Sequence, residues 1–144
     1  MDLTKAETMM RDLMSYHGLS SWRFSFGRSL RTYGRCWSYS KRIELSKALV
    51  KLNSEEQTLD TILHEIAHAL APVDVHHGPE WKQIAQSIGC SGERCYDSDI
   101  VKLPYKFIGV CPSCKHEIKV MRRTRVACRR CCNQYSLGMF NPKF

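Results

Sequence analysis

Apolar positions recur at helical spacing in three stretches of the chain and alternate with polar ones in two shorter stretches. Ala6, Met9, Met10, Leu13 and Met14 form the first helical stripe, with Thr4 and Glu7 fitting a capping box ahead of it and Gly18 able to close it. "SWRFSF" alternates Trp22, Phe24 and Phe26 with polar residues, the pattern of a half-buried strand. "RCWSYSKRIEL" alternates Trp37, Tyr39, Ile43 and Leu45 and reads as a hairpin, after which Ser46 caps a short helix through Val50. Ser54 and Gln57 make a second capping box, opening a helix with the stripe Leu59, Ile62, Leu63, Ile66 and Leu70 that Pro72 must end. Gly78 and Pro79 read as N-cap and first residue of a last helix, its apolar face Trp81, Ile84, Ala85 and Ile88 stopped by Gly89. Residues 92–98 read as a polar loop, and beyond it short strand-like runs surround two cysteine pairs. The expected class is α+β.

With 144 residues, the chain has room for one modest core and a small appended module. No apolar run approaches the ~20 residues that span a membrane. The N-terminal "MDLTKAETMMRDLM" is charged and amphipathic, without a signal-peptide core. The expected location is therefore the cytoplasm: nucleoid-associated if the source is bacterial, host cytoplasm if it is a phage. In that reducing setting the eight cysteines are read as metal ligands or buried thiols rather than disulfides. The net charge of +8 is uneven: residues 1–100 carry 12 Lys/Arg against 13 Asp/Glu, whereas residues 101–144 carry 10 against the single Glu117. That break divides the expected organisation into a domain over 1–100 and a basic module over 101–144, with nucleic acid as the expected partner.

"HEIAH" places His64 and His68 four apart on one helix face, where both can bind one metal ion, and sets Glu65 beside that site. A catalytic zinc takes three protein ligands and keeps a fourth position open. His76 and His77 follow the 71–75 loop. His77, adjoining the capped helix, is the better fixed of the two and is chosen as third ligand, with His76 as the substitute. Zinc acidifies water and polarises a carbonyl, and Glu65 would take the water proton and return it to a leaving amine. The implied reaction is amide hydrolysis.

"CPSC" and "CRRC" offer Cys111, Cys114, Cys128 and Cys131 as a closed, structural zinc shell, and a metal would supply much of the folding energy of so short a module. Cys132 then points elsewhere, and Cys36, Cys90 and Cys95 read as buried thiols. Lys115, Lys119, Arg122, Arg123, Arg125, Arg129 and Arg130 lie around the knuckles and are the candidate phosphate contacts. Tyr105, Phe107, Tyr135 and Phe140 flank them and read as a small aromatic core.

"GRCWSYSKRIELSKALV", "TLDTILHEIAHAL", "HHGPEWKQIAQSIGC" and the paired-cysteine tail together resemble the SprT-like zinc metalloproteases, which include Spartan. The resemblance runs in order over nearly the whole chain. It implies a compact zincin-like protease domain followed by a zinc ribbon, with His64, His68 and His77 as ligands of a catalytic zinc and Glu65 as the catalytic residue. It also implies cleavage of DNA-bound or DNA-crosslinked proteins, recruited and activated by DNA with single-stranded character. The long partner-recruiting tail of eukaryotic members has no counterpart in this sequence, which runs to Phe144, so its regulation is not expected to carry over. A monomer is expected. The alternative is a non-catalytic, zinc-dependent nucleic-acid-binding regulatory protein, for which Glu65 would be dispensable.

Overall fold

A computed structural model describes residues 1–93, 100–123 and 128–131. Cys95, Arg125, Cys132, Tyr135 and Phe140, all singled out above, lie outside them. The chain divides into two compact units, Met1–Lys102 and Leu103–Phe144, and the class is α+β with two small sheets.

In the first unit the order is α1 (Leu3–Tyr16), β1 (Arg23–Gly27), β2 (Gly34–Trp37), β3 (Arg42–Ser46), α2 (Lys47–Leu52), α3 (Glu55–Leu70) and α4 (Pro79–Ser87). The three strands form a sheet ordered β1-β3-β2. The hairpin β2–β3 is antiparallel, as its alternation predicts, but β1 pairs with β3 in parallel. Phe24, Ile43 and Cys36 lie side by side on one face of the sheet, and Phe26, Leu45 and Gly34 form the next row. Ile43 and Leu45 are fully buried there with Ala6, Met10 and Met14 of α1 and Ile62 and Ile66 of α3. Each of the isoleucine, leucine and methionine side chains here contributes about 1.5–3 kcal/mol by leaving water.

Two expectations need correction. The cap of α1 is Asp2, whose carboxylate accepts from the Lys5 N–H, not Thr4 with Glu7. Both residues are good acceptors, and the helix starts at the earlier one. Leu70, placed in the core stripe of α3, is 37% exposed, because the last turn before Pro72 runs past the edge of the core. The Ser54–Gln57 capping box is formed in both directions, the Ser46 cap accepts from the Leu49 N–H, and Gly78–Pro79 opens α4. Asn53 closes α2, and its buried side chain donates to the Leu49 and Val101 carbonyls and accepts the Val101 N–H.

The described part of the second unit is a hairpin of β4 (Phe107–Val110) and β5 (Glu117–Val120), antiparallel, with a cysteine knuckle between the strands.

Candidate metal centres and the cleft

The capping box fixes where α3 starts, and therefore which residues face the sheet three turns later. Thr58 and Thr61 are fully buried, and the Tyr33 hydroxyl shares a 2.8 Å hydrogen bond with the Thr58 hydroxyl, tying the approach to β2 against the helix. One turn further, His64 and Glu65 are both only 6% exposed. His64 and His68 point from the same face, their Nε2 atoms 3.3 Å apart.

The third nitrogen arrives through the turn after Pro72. The Val75 N–H donates to the Pro72 carbonyl and the Gly78 N–H to the Val75 carbonyl, while His76 takes φ +46°. That left-handed residue is uncommon outside glycine and reverses the direction of the chain. His76 is left exposed, and His77 Nε2 lies 3.0 Å from both other Nε2 atoms. Four ligands at about 2.05 Å on a tetrahedron stand ~3.3 Å apart, so a triangle of this size fits one face of a zinc shell. Two of the three rings are also in the right protonation state. Burial, then the charges of His68 and His77, pushes His64 down to about 3, and burial, then His77 and His76, pushes His68 down to about 4. Both rings are neutral at pH 7, as ligation requires.

Behind the triangle stands Trp81, 1% exposed, its ring centroid 4.6 Å from that of His64, 5.1 Å from His68 and 4.7 Å from His77. Reading it only as the apolar face of α4 misses that it backs all three imidazoles. Its place four residues after His77, one helical turn on, was the available signal.

Glu65 faces β2. Burial raises its carboxyl to about 8. An ideal Cβ at Gly34 would lie 2.4 Å from Glu65 Oε1, so only glycine leaves room for the carboxylate here. Cys36, expected among the buried thiols, is half-buried instead and lines the cleft. Burial and the nearby Glu65 raise its thiol to about 12. Cys90 is buried as expected. The open cleft, about 570 Å³, is bounded by β2 on one side and by the three histidines and Glu65 on another.

In the second unit, Cys111, Cys114, Cys128 and Cys131 bring their sulfurs within 4.8 Å of one another. Cys111 and Cys131 are 3.9 Å apart and Cys114 and Cys128 3.5 Å, against ~3.8 Å for a tetrahedron of 2.3 Å zinc–sulfur bonds. The knuckle is shaped by backbone bonds from Lys115 N–H to the Cys111 carbonyl and from Cys111 N–H to the His116 carbonyl, with Lys115 at φ +61°. Of the basic residues singled out, Lys115, Lys119, Arg122, Arg123, Arg129 and Arg130 are exposed. The Arg123 guanidinium stands 5.3 Å from the Phe107 ring centroid. Tyr105, expected in an aromatic core, is 43% exposed.

A family model described as the SprT-like family matches residues 6–100, which span the whole sheet, the three histidines and Glu65. The chain belongs to the SprT-like family. Protein SprT of Escherichia coli O1:K1 and Protein SprT of Escherichia fergusonii are each 28% identical to it over 118 residues, covering 72% of this chain and 67% of theirs. No solved structure gives a significant match. Within this SprT-like chain, the family match contains the histidine triangle and stops before the cysteine cluster. No helix among the described residues is long and apolar enough to cross a membrane.

Proposed function

We propose that this SprT-like chain is a zinc endopeptidase that cuts proteins held on DNA, with residues 1–100 as a zincin-like catalytic domain and 101–144 as a basic zinc ribbon. The observation that carries the reading is the convergence of three imidazole nitrogens beside one buried carboxyl, all opening on a cleft. His64, His68 and His77 hold the catalytic zinc, and Cys111, Cys114, Cys128 and Cys131 a structural one. Zinc bound at the histidines supplies an acidified water and a Lewis acid for the scissile carbonyl. Glu65 takes the proton of the attacking water and delivers it to the amide nitrogen as the C–N bond breaks. Burial raises the Glu65 carboxyl in the metal-free site, and a cation at the histidines would favour its ionised form. Trp81 holds the imidazoles in place and Gly34 leaves the carboxylate its room.

The exposed cations of the second unit fit a phosphate backbone, and DNA bound there raises the concentration of its own bound proteins at the cleft. Selectivity then follows from co-localisation, which suits an open cleft.

The test mixes the zinc-loaded protein with a histone-like basic protein, with and without single-stranded DNA, beside Glu65→Gln. DNA-stimulated cleavage that disappears in the variant is the expected result. Equal rates with and without DNA would remove the DNA-platform reading. Absence of cleavage with salt-sensitive DNA binding retained would leave a non-catalytic binding protein.

A further inference from the structure

The whole-domain charge count conceals a second basic segment. Between Asp12 and Glu44 the chain has six Lys/Arg and no acidic residue, so the 13 acids of residues 1–100 all lie outside that stretch. The fold gathers much of this segment on one surface. Partners across a sheet share a face. On the face opposite the Ile43–Leu45 core, Arg23, Arg42 and Trp37 form one row and Ser25, Glu44 and Arg35 the next. Arg23, Ser25 and Arg35 are exposed. The Arg42 guanidinium lies 4.2 Å from the Trp37 ring centroid and pairs at 3.4 Å with Glu44, the only carboxylate in these two rows.

The hairpin tip extends that surface. Tyr39 is 87% exposed, which is unusual for so large an apolar ring, and Lys41, two residues on, is exposed as well. The tip is held in shape: Lys41 sits at φ +47°, its N–H donates to the Ser38 carbonyl, and its own carbonyl accepts from the Arg23 N–H. An exposed aromatic side chain on a tip whose backbone is held can stack on an unpaired base while cations of the same surface meet phosphates. Arg35, Trp37 and Ser38 also line the cleft.

We propose that the outer face of the sheet and the Ser38–Lys41 tip form a binding site for single-stranded nucleic acid on the catalytic unit itself, with Tyr39 and Trp37 as base platforms and Arg23, Arg35 and Lys41 as phosphate contacts. The proposal rests on the nucleic-acid reading above and deepens it: the strand is gripped beside the cleft as well as by the basic ribbon. An acidic peptide would use the cations but would leave the exposed Tyr39 ring without a role.

The test measures binding of a fluorescein-labelled oligothymidylate to the full zinc-loaded chain by anisotropy across a salt series. Tyr39→Ala weakens binding at least fivefold and Tyr39→Phe leaves it near the starting value, because the ring and not the hydroxyl stacks. Arg35→Gln with Lys41→Gln lowers the slope of log affinity against log salt by about 1.4, at ~0.7 for each lost contact. Unchanged melting temperatures show that the variants fold. Photocrosslinking of a 5-iodouracil oligonucleotide to Tyr39 or Trp37 in the unaltered chain reports the same contact without a variant. If these variants bind like the parent while Arg122→Gln with Arg123→Gln loses binding, the hairpin site is wrong and the ribbon reading stands. If the parent itself binds no oligothymidylate, both fail. Displacement by oligoglutamate as effective as by unlabelled oligothymidylate would assign the surface to acidic peptides and overturn the proposal.

Discussion

Gly34 and Glu65 are 31 positions apart and meet across the gap between an edge strand and a helix. A methyl group at position 34 would stand 2.4 Å from Glu65 Oε1 and 2.6 Å from its Cγ, so the carboxylate would have to leave its place. Gly34→Ala should therefore cut peptide cleavage at least tenfold while the zinc content of the histidine site stays at one per chain, read by metal analysis beside the rate. The ionisable groups here pull stability in opposite directions with pH. His64 and His68, held near 3 and 4 against an ordinary 6.5, refuse protons that the unfolded chain accepts, so the stability they allow is lost as pH falls below 6.5. Glu65, held near 8 against 4.5, keeps a proton that the unfolded chain releases, so its contribution is lost as pH rises from 4.5 to 8. Two histidines outweigh one carboxyl below 6.5, and of these three groups only the carboxyl acts above it. The metal-free protein should melt highest near pH 6.5, and the decline from there to pH 8 should vanish in Glu65→Gln. A parent melting temperature that keeps climbing to pH 8 would contradict the buried, protonated carboxyl.

At the scale of elements, the position of α3 depends on its cap. Ser54 accepts from the Gln57 N–H and Gln57 reaches back to the Ser54 N–H. Ser54→Ala should cost about 1 kcal/mol, seen as a melting point lower by a few degrees. A loss of zinc affinity without loss of stability would mean that the cap acts on the site rather than on the helix. The caps, the β2–β3 hairpin and both histidine spacings were legible because each is a local pattern, written within a few neighbouring residues. Asp2 against Thr4 was not, since two acceptors two positions apart satisfy the same rule. The parallel pairing of β1 with β3 was equally hidden: it joins strands that are not neighbours in the chain. The same holds for the contacts of Gly34 with Glu65 and of Trp81 with three imidazoles, which exist only once separate elements have packed. The acid-free segment from 13 to 43 was plain in the residues, but a count over the whole domain averaged it away.

For the molecule as a whole, the two candidate metal centres stand in different energetic settings. The histidine triangle hangs on helices and a sheet with a buried apolar core of their own, whereas the described part of the second unit is one hairpin and a short turn that bring four thiols together. Chelation should therefore act in two ways. If both centres hold zinc as proposed, the first unit keeps its helical circular dichroism and loses only the proposed activity, while the second unit loses its protease resistance, because there metal and fold would be one equilibrium. Limited proteolysis before and after chelation checks this, and cleavage within residues 1–100 at the same rate as in the ribbon would refute it.

The parallel alignment of β1 with β3 also bears on synthesis. The chain is made from its N-terminus at roughly 5–20 residues per second, so β1 waits about 1–4 s for the partner that ends at Ser46. During that interval a strand carrying Phe24 and Phe26 has both edges open, a form prone to pair with another nascent chain. The uniform positive charge from Arg23 to Arg42 makes two such strands repel each other. The surface proposed above as a nucleic-acid site would thus double, on the ribosome, as protection against self-association.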